Sequence, residues 1–274
     1  MGLQTSPGSK TDDYPWWLVA LGLIALALAI LIAVNNVYRQ VFETVANGIG
    51  ITIFVTIVSF ALASLLGLLI ALAGMADSIV LRQVSRFYIE VIRGIPVLIL
   101  LFYIAFVGAP GFVTLYNAII APLVQAGLAE PLLVRDVSLM WRAIIALSIG
   151  YSAFVAEVFR AGIQSVDKGQ TEAAKSLGLN RFQRFRLIVL PQAIKVIFPP
   201  LSNDFVAIVK DSSLVSVLGV ADISQAGKIY ASGSFRFFET YSIVAYIYLF
   251  LTIGLSLLLR RIEKRMRARD HSSH

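Results

Sequence analysis

No Asp, Glu, Lys or Arg stands between Glu43 and Asp77. A helix of a water-soluble fold keeps one polar face, so an uncharged stretch of this length has little place in one. It is long enough to cross a bilayer, which takes about 20 apolar residues. The same pattern recurs, with apolar segments over 16–34, 47–73, 88–107, 142–163, 198–218 and 240–259, the third carrying Glu90 and Arg93 at its start. Composition agrees, since 58% of the 274 residues are hydrophobic and only 14% charged, against about 25% charged in a typical soluble domain. The expected fold is all-α, a polytopic transmembrane helical bundle of about six spans. A cleaved signal peptide is the competing reading of 16–34. That run is longer than a signal's apolar region, opens with Trp16 and Trp17 and ends in Asn35 and Asn36, which favours a retained anchor.

Several chemistries are excluded by what the chain lacks. It has no cysteine, and its two histidines, His271 and His274, lie in the last four residues. Disulfides, thiolate nucleophiles, Ser-His-Asp triads and HExxH zinc sites are therefore ruled out, and no catalytic residue, metal ligand or bound cofactor is assigned. A phosphate-binding loop is missing too, because Gly227-Lys228 is followed by Ile229 and has no glycine at the required upstream position.

Basic residues mark orientation, since short cytoplasmic loops carry the excess of Lys and Arg. Arg82 and Arg86 lie between the second and third spans, and six more, from Lys168 to Lys195, lie between the fourth and fifth. A further six follow the last span, from Arg260 to Arg269. These segments fall on one side of a six-span chain, which places both termini, the tail 1–15 and the basic tail 261–274, in the cytoplasm. The formal net charge of +7 then sits beside anionic headgroups and requires no nucleic acid. The stretch 108–140 is long for an interhelical connection, is broken by Pro110, Gly111, Pro122 and Pro131, and still contains an apolar run. A surface helix on the outer side fits it better than a seventh span, which would put the basic loop 167–195 outside.

That loop is too charged to enter lipid yet has helical punctuation. Residues 172–177 are good helix formers, Gly178 can end a helix in the left-handed conformation, and Asn180 can cap a second one. On the second helix Phe182, Phe185 and Val189 recur at helical spacing as a stripe able to hold the loop to the bundle, and Pro191 is expected to break it. On periodicity alone, a basic amphipathic helix resting on headgroups is an equally good description. Among the charges placed in spans, Glu90 with Arg93 and Glu157 with Arg160 stand three apart, a spacing suited either to mutual ion pairs or to a gate. In the fifth span Asn203, Asp204, Lys210, Asp211, Ser212 and Ser213 form a polar core, with Asp204 and Asp211 seven apart and hence on one face. They suit the carboxylate and ammonium groups of an amino acid, or a polar network between subunits. Ala63, Gly67 and Ala71 form a small-residue ridge for close helix approach, and Thr52 and Thr56 are expected to bond to their own backbone.

Spacing adds a resemblance. Glu172-Ala173-Ala174, Gly178, Ile188 and Leu190-Pro191 match every position of the EAA loop of ABC importer permeases, whose pattern is E-A-A, three residues, G, nine residues, I, one residue, L-P. Three further segments resemble the polar amino-acid branch of that family: Tyr88 to Pro96 its Y-x-E-x-x-R-G-x-P, Ala156 to Val166 its A-E-x-x-R-x-G-I-Q-S-(V/I), and Lys210 to Leu214 its K-D-(S/T)-S-L. The resemblance implies a type I importer permease domain over 47–260, with 16–34 as an extra anchor, in a bacterial inner membrane. It also implies that the EAA residues form a coupling helix docking on a cytosolic ATPase subunit, which would bind ATP and Mg. Further implied partners are a second permease subunit, identical or paralogous, and an external amino-acid-binding protein. Glu90, Arg93, Glu157, Arg160, Asn203, Asp204, Lys210, Asp211 and Ser213 are the candidates for the substrate path or gate.

Overall fold

The computed structural model of the protein describes residues 16–271; the tail 1–15 lies outside them. The described residues are predominantly helical, with no strand among them. Helix α1 (Trp16–Val34) is followed at Asn35, whose side chain accepts from the Val37 amide at 2.9 Å, by α2 (Asn36–Ala46). A short kink leads into α3 (Ile49–Gly74), and α4 (Ile79–Gly94) ends at Ile95-Pro96, where the proline forces extended backbone. Next come α5 (Val97–Tyr103), a π-turn (Ile104–Gly108) and α6 (Ala109–Gln125). Helix α7 (Leu139–Gln164) leads through α8 (Lys168–Ser176) to α9 (Arg181–Arg184), a second π-turn (Phe185–Val189) and α10 (Leu190–Asp211). The chain closes with a 3₁₀ segment (Ser212–Leu218), α11 (Ile223–Ser234) and α12 (Phe237–His271).

Among the described residues five helical runs are long and apolar enough to cross a membrane: Asn36–Gly74, Val97–Gln125, Leu139–Gln164, Arg181–Leu218 and Phe237–Met266. The shorter apolar helix α1 makes the bundle one of about six, as expected. Its boundaries differ from the hydropathy reading in two places. The third span starts at Val97, not near Tyr88, so Glu90 and Arg93 sit on the separate helix α4. It also runs through to Gln125, so the apolar part of 108–140 extends the span and is not a separate surface helix. Likewise Pro191 does not break its helix, because Arg181–Leu218 is one run.

Both surprises share a cause. In each π-turn the hydrogen bonds reach one residue further back, with the Ala109 amide bonding to the Ile104 carbonyl and the Leu190 amide to that of Phe185. A proline two residues past the turn, Pro110 or Pro191, then lacks an N–H where the ladder is already offset, so the helix absorbs it.

The bundle is organised on the pair α3 and α7. Ala63 and Ala71 are fully buried, and a Cβ on Gly67 would meet the Ser152 carbonyl oxygen and Val155 Cγ1 at 2.9 Å. The ridge therefore does bring two backbones together. Hydroxyls cross the same seam, Ser59 donating to the Ile144 carbonyl at 3.4 Å and Ser148 to that of Ser59 at 3.3 Å. Around it Val55, Leu101, Ile144, Leu147 and Val215 make the main apolar core.

Candidate functional site

The loop between α7 and α10 is built by short-range rules. Asp167 caps α8 by accepting from the Gly169 amide at 2.6 Å. Gly178, at φ 80°, ends it in the left-handed region, where the Gly178 amide bonds back to Lys175 and the Leu179 amide to Ala174 at 3.0 and 3.1 Å. These are the paired bonds of a glycine-terminated helix. Asn180 then caps α9 reciprocally with Gln183, each side chain accepting from the other's amide at 2.9 Å. Gln192 reaches back to Gln170 Oε1 at 2.6 Å and ties α8 to the following helix.

Within this frame Ala174 is buried, 4% exposed, and anchors α8. Glu172, Ala173 and Gly178 face outward, Ile188 and Leu190 are half-buried, and Pro191 is exposed. The aromatic stripe does not hold the loop to the bundle as expected. Phe182 is 69% exposed and Leu177 81%, and only Val189 packs inward, against the cluster of Val166, Ala193 and Ile197. The loop therefore presents apolar side chains that nothing among the described residues covers, on a segment too charged for the lipid core.

A second feature lies beside the root of that loop. The ends of α3 and α7 and the inner face of α4 enclose a cleft of about 700 Å³, lined by Glu90, Arg93, Glu157 and Arg160 among other charges. Glu157 and Arg160 form an ion pair at 2.7 Å. Glu90 and Arg93 do not, because the Arg93 guanidinium lies over the Phe154 ring, 5.3 Å from its centroid, a cation–π contact offered by α7.

The α10 candidates are apart from this cleft. Asp211 accepts a hydrogen bond from the Tyr151 hydroxyl at 2.7 Å, so its partner is on α7, while the neighbouring Lys210 is exposed. Asp204 keeps one buried carboxylate oxygen, Oδ2, without a hydrogen bond. Asn203 turns toward α12, where it lines a small cleft with Ser256, Arg260 and Glu263. Ser213 is half-buried in the 3₁₀ segment.

Three polar residues that carry much of the architecture were not singled out by sequence. Tyr151 looks like one more apolar residue of its span. Arg142, 8% exposed, donates to the carbonyls of Val137 at 2.9 Å, Ala105 at 3.1 Å and Val134; Ala105 lies in the first π-turn. Asp222 is fully buried, caps α11 by accepting from the Gln225 amide at 2.8 Å, and accepts from the Tyr248 hydroxyl at 3.1 Å. Burial raises its carboxyl above the usual carboxylate range, against the opposing effect of those hydrogen bonds. Beside it the Ile223 amide donates to Thr52 at 3.3 Å. Thr56 Oγ1 has no hydrogen bond, so it does not bond to its own backbone as expected.

Known proteins share this arrangement. Residues 63–268 match the family described as binding-protein-dependent transport system inner membrane component. The chain belongs to that family. The matched region of this transport component holds the charged cleft, the α8 loop and the α10 residues, while α1 and α2 precede it. Among its relatives, the probable amino-acid permease protein YxeN of Bacillus subtilis is 38% identical over 225 residues, 82% of this chain and 92% of the relative. The glutamine transport system permease protein GlnP of Escherichia coli is 32% identical over 223 residues, 81% and 92%. The crystal structure of an amino acid ABC transporter with histidines superimposes with a TM-score of 0.66 at 38% identity, covering 83% of this chain and 95% of that one. A methionine ABC transporter seen in inward-facing conformations, at 18% identity and a TM-score of 0.62 over 82% and 96%, shares the fold.

Proposed function

We propose that this chain is the permease subunit of an ATP-driven amino-acid importer, working as a pair of permease subunits with two cytosolic ATPases and an external binding protein. The observation that carries this reading is the α8 loop, a capped, glycine-ended helix followed by the exposed Leu177 and, on α9, Phe182, on a segment that cannot enter lipid. Such a surface suits a groove in a soluble partner, and the EAA spacing assigns that partner as the ATPase, which holds ATP and Mg. Nucleotide-driven closure of the ATPases would press the two coupling loops together and open the cavity outward. The named functions of the amino-acid and glutamine permease relatives support an amino acid as cargo. Asp204 and Asp211 on one face of α10, with Tyr151 fixing the latter carboxylate, are our candidates for meeting its ammonium group. We place both termini and the α8 loop in the cytoplasm, with the protein multi-pass in the inner membrane.

Affinity purification from native membranes tests this directly. A P-loop ATPase should accompany the protein, Phe182→Asp should weaken that capture, and reconstituted uptake should require ATP and the binding protein. Purification without an ATPase, together with uptake driven by an ion gradient, would refute the reading. The cysteine-free sequence also allows single-cysteine labelling. Ser176→Cys should react with impermeant reagents only in inverted vesicles, and Gln125→Cys in intact cells.

A further inference from the structure

The cleft between α4 and α7 holds seven charged side chains, Asp77, Arg82, Arg86, Glu90, Arg93, Glu157 and Arg160, and most of the cations are already engaged. Arg82 donates to the carbonyls of Ala76 and Asp77 at 3.0 and 2.9 Å, Arg160 pairs with Glu157, and Arg93 covers the Phe154 ring. Arg86 and Glu90 remain. They stand four apart on α4, so they share a face, and no ion pair joins them among the described residues. A guanidinium and a carboxylate on one face of α4, both exposed and lining one cleft, match the α-carboxylate and α-ammonium of a free amino acid. The volume, about 700 Å³, lies within the range of small-molecule sites, roughly 300–1,000 Å³. A phosphate headgroup fits less well, because Asp77, Glu90 and Glu157 would face its charge.

Location gives such a site a consequence. The cleft is also lined by Gln164, the last residue of α7, and three residues on Asp167 caps the coupling helix α8. A ligand held on α4 would fill the cleft against Gln164 at the end of α7, and so restrain the root of the ATPase-docking loop. We propose that this cleft is a second amino-acid site, reached from the α8 side, with Arg86 on the carboxylate and Glu90 on the ammonium, through which accumulated product slows the transport cycle. The proposal rests on the importer reading above.

The test uses the permease–ATPase complex in nanodiscs, without the binding protein, and radiolabelled L-glutamine, L-glutamate and L-arginine as neutral, acidic and basic probes. Equilibrium dialysis should show at least one of them bound. Arg86→Ala should weaken that binding roughly tenfold or more, the loss expected of a charge-assisted hydrogen bond, and Arg86→Lys should recover part of it. In proteoliposomes with the α8 side outward, the same amino acid added outside should lower ATPase rate. That lowering, expressed relative to each variant's own rate without amino acid, should disappear in Arg86→Ala. Equal dependence in wild type and Arg86→Ala overturns the proposal. So does a dependence removed only by Asp211→Asn, which would place the ligand in the transport path, and so does retention of anionic lipid with no amino-acid binding. Failure of the importer reading would show separately, as absence of binding-protein-dependent uptake by the wild type, since dialysis reads the cleft without transport.

Discussion

Gly67 is where the packing of this bundle can be tested most sharply, because a single carbon atom decides it. An alanine Cβ there would lie 2.9 Å from the Ser152 carbonyl oxygen, 2.9 Å from Val155 Cγ1 and 3.0 Å from the Ala156 amide nitrogen, where ordinary contact begins at 3.4 Å. Two of the three obstacles are backbone atoms of α7, which cannot rotate away as a side-chain end does. The α3 and α7 backbones must therefore separate by about half an ångström along a seam that Ala63 and Ala71 also keep closed. Overpacking of this kind costs about 1–3 kcal/mol. For a chain of this size each kcal/mol lowers a melting midpoint by roughly 2–4 °C. Gly50 supplies the control on the same helix, since nothing lies within 4 Å of a Cβ built there. Its replacement should gain about 0.5–1 kcal/mol from helix propensity alone. The assay is the midpoint for loss of monodisperse protein on heating in detergent. Gly67→Ala should fall by several degrees while Gly50→Ala holds or rises. Matching midpoints would refute the claim that the ridge sets the helix separation.

Three further outcomes are expected. Gly178 has open space around it and a φ of 80°, so its role is conformational. Gly178→Val should abolish uptake at normal expression, while Gly178→Asn, which tolerates the left-handed region, retains part of it. Replacing Arg142 with Met should lower stability by about 1–3 kcal/mol for each buried carbonyl left unpaired, read as a lower thermal midpoint. Burial raises the Asp222 carboxyl, so the folded state binds its proton more readily than the unfolded chain. The stability it confers is fully present below the ordinary carboxylate value and falls as pH rises through the raised one. Asp222→Asn, still able to accept from the Gln225 amide, should flatten that part of the midpoint's pH profile, seen as a wild-type-minus-variant difference that rises toward low pH and falls as pH increases.

What could be read from the sequence was whatever depends on near neighbours. The small-residue ridge, the left-handed Gly178 and the Asn180 cap all follow from spacing within a few residues, and each stands where the sequence placed it. The misplaced boundaries are those where a distant element or an offset ladder intervenes. Glu90 and Arg93 have ion-pair spacing, yet Phe154 on another helix takes the guanidinium. Asp211 sits beside Lys210 but bonds to Tyr151, sixty positions away. Pro110 and Pro191 look like breaks because the π-turns that absorb them have no local signature. The helix α11, flanked by left-handed Gly219 and Phe235, is too short and too mixed to stand out from hydropathy.

The unbroken run from Arg181 to Leu218 has a mechanical meaning. Its first turn belongs to the loop proposed to dock the ATPase, and Asp211 lies near its other end, about 45 Å away at 1.5 Å per residue. No non-helical linker interrupts it, although Pro199 and Pro200 stand inside it, so a push at the base travels along the helix as tilt. A tilt of roughly 5° about the turn that ends at Val189, over the ~33 Å from there to Asp211, displaces the far end by about 3 Å, about the width of a water molecule. The offset turn at Phe185–Val189 is the fulcrum at which such a lever would flex, just where the rod leaves the loop.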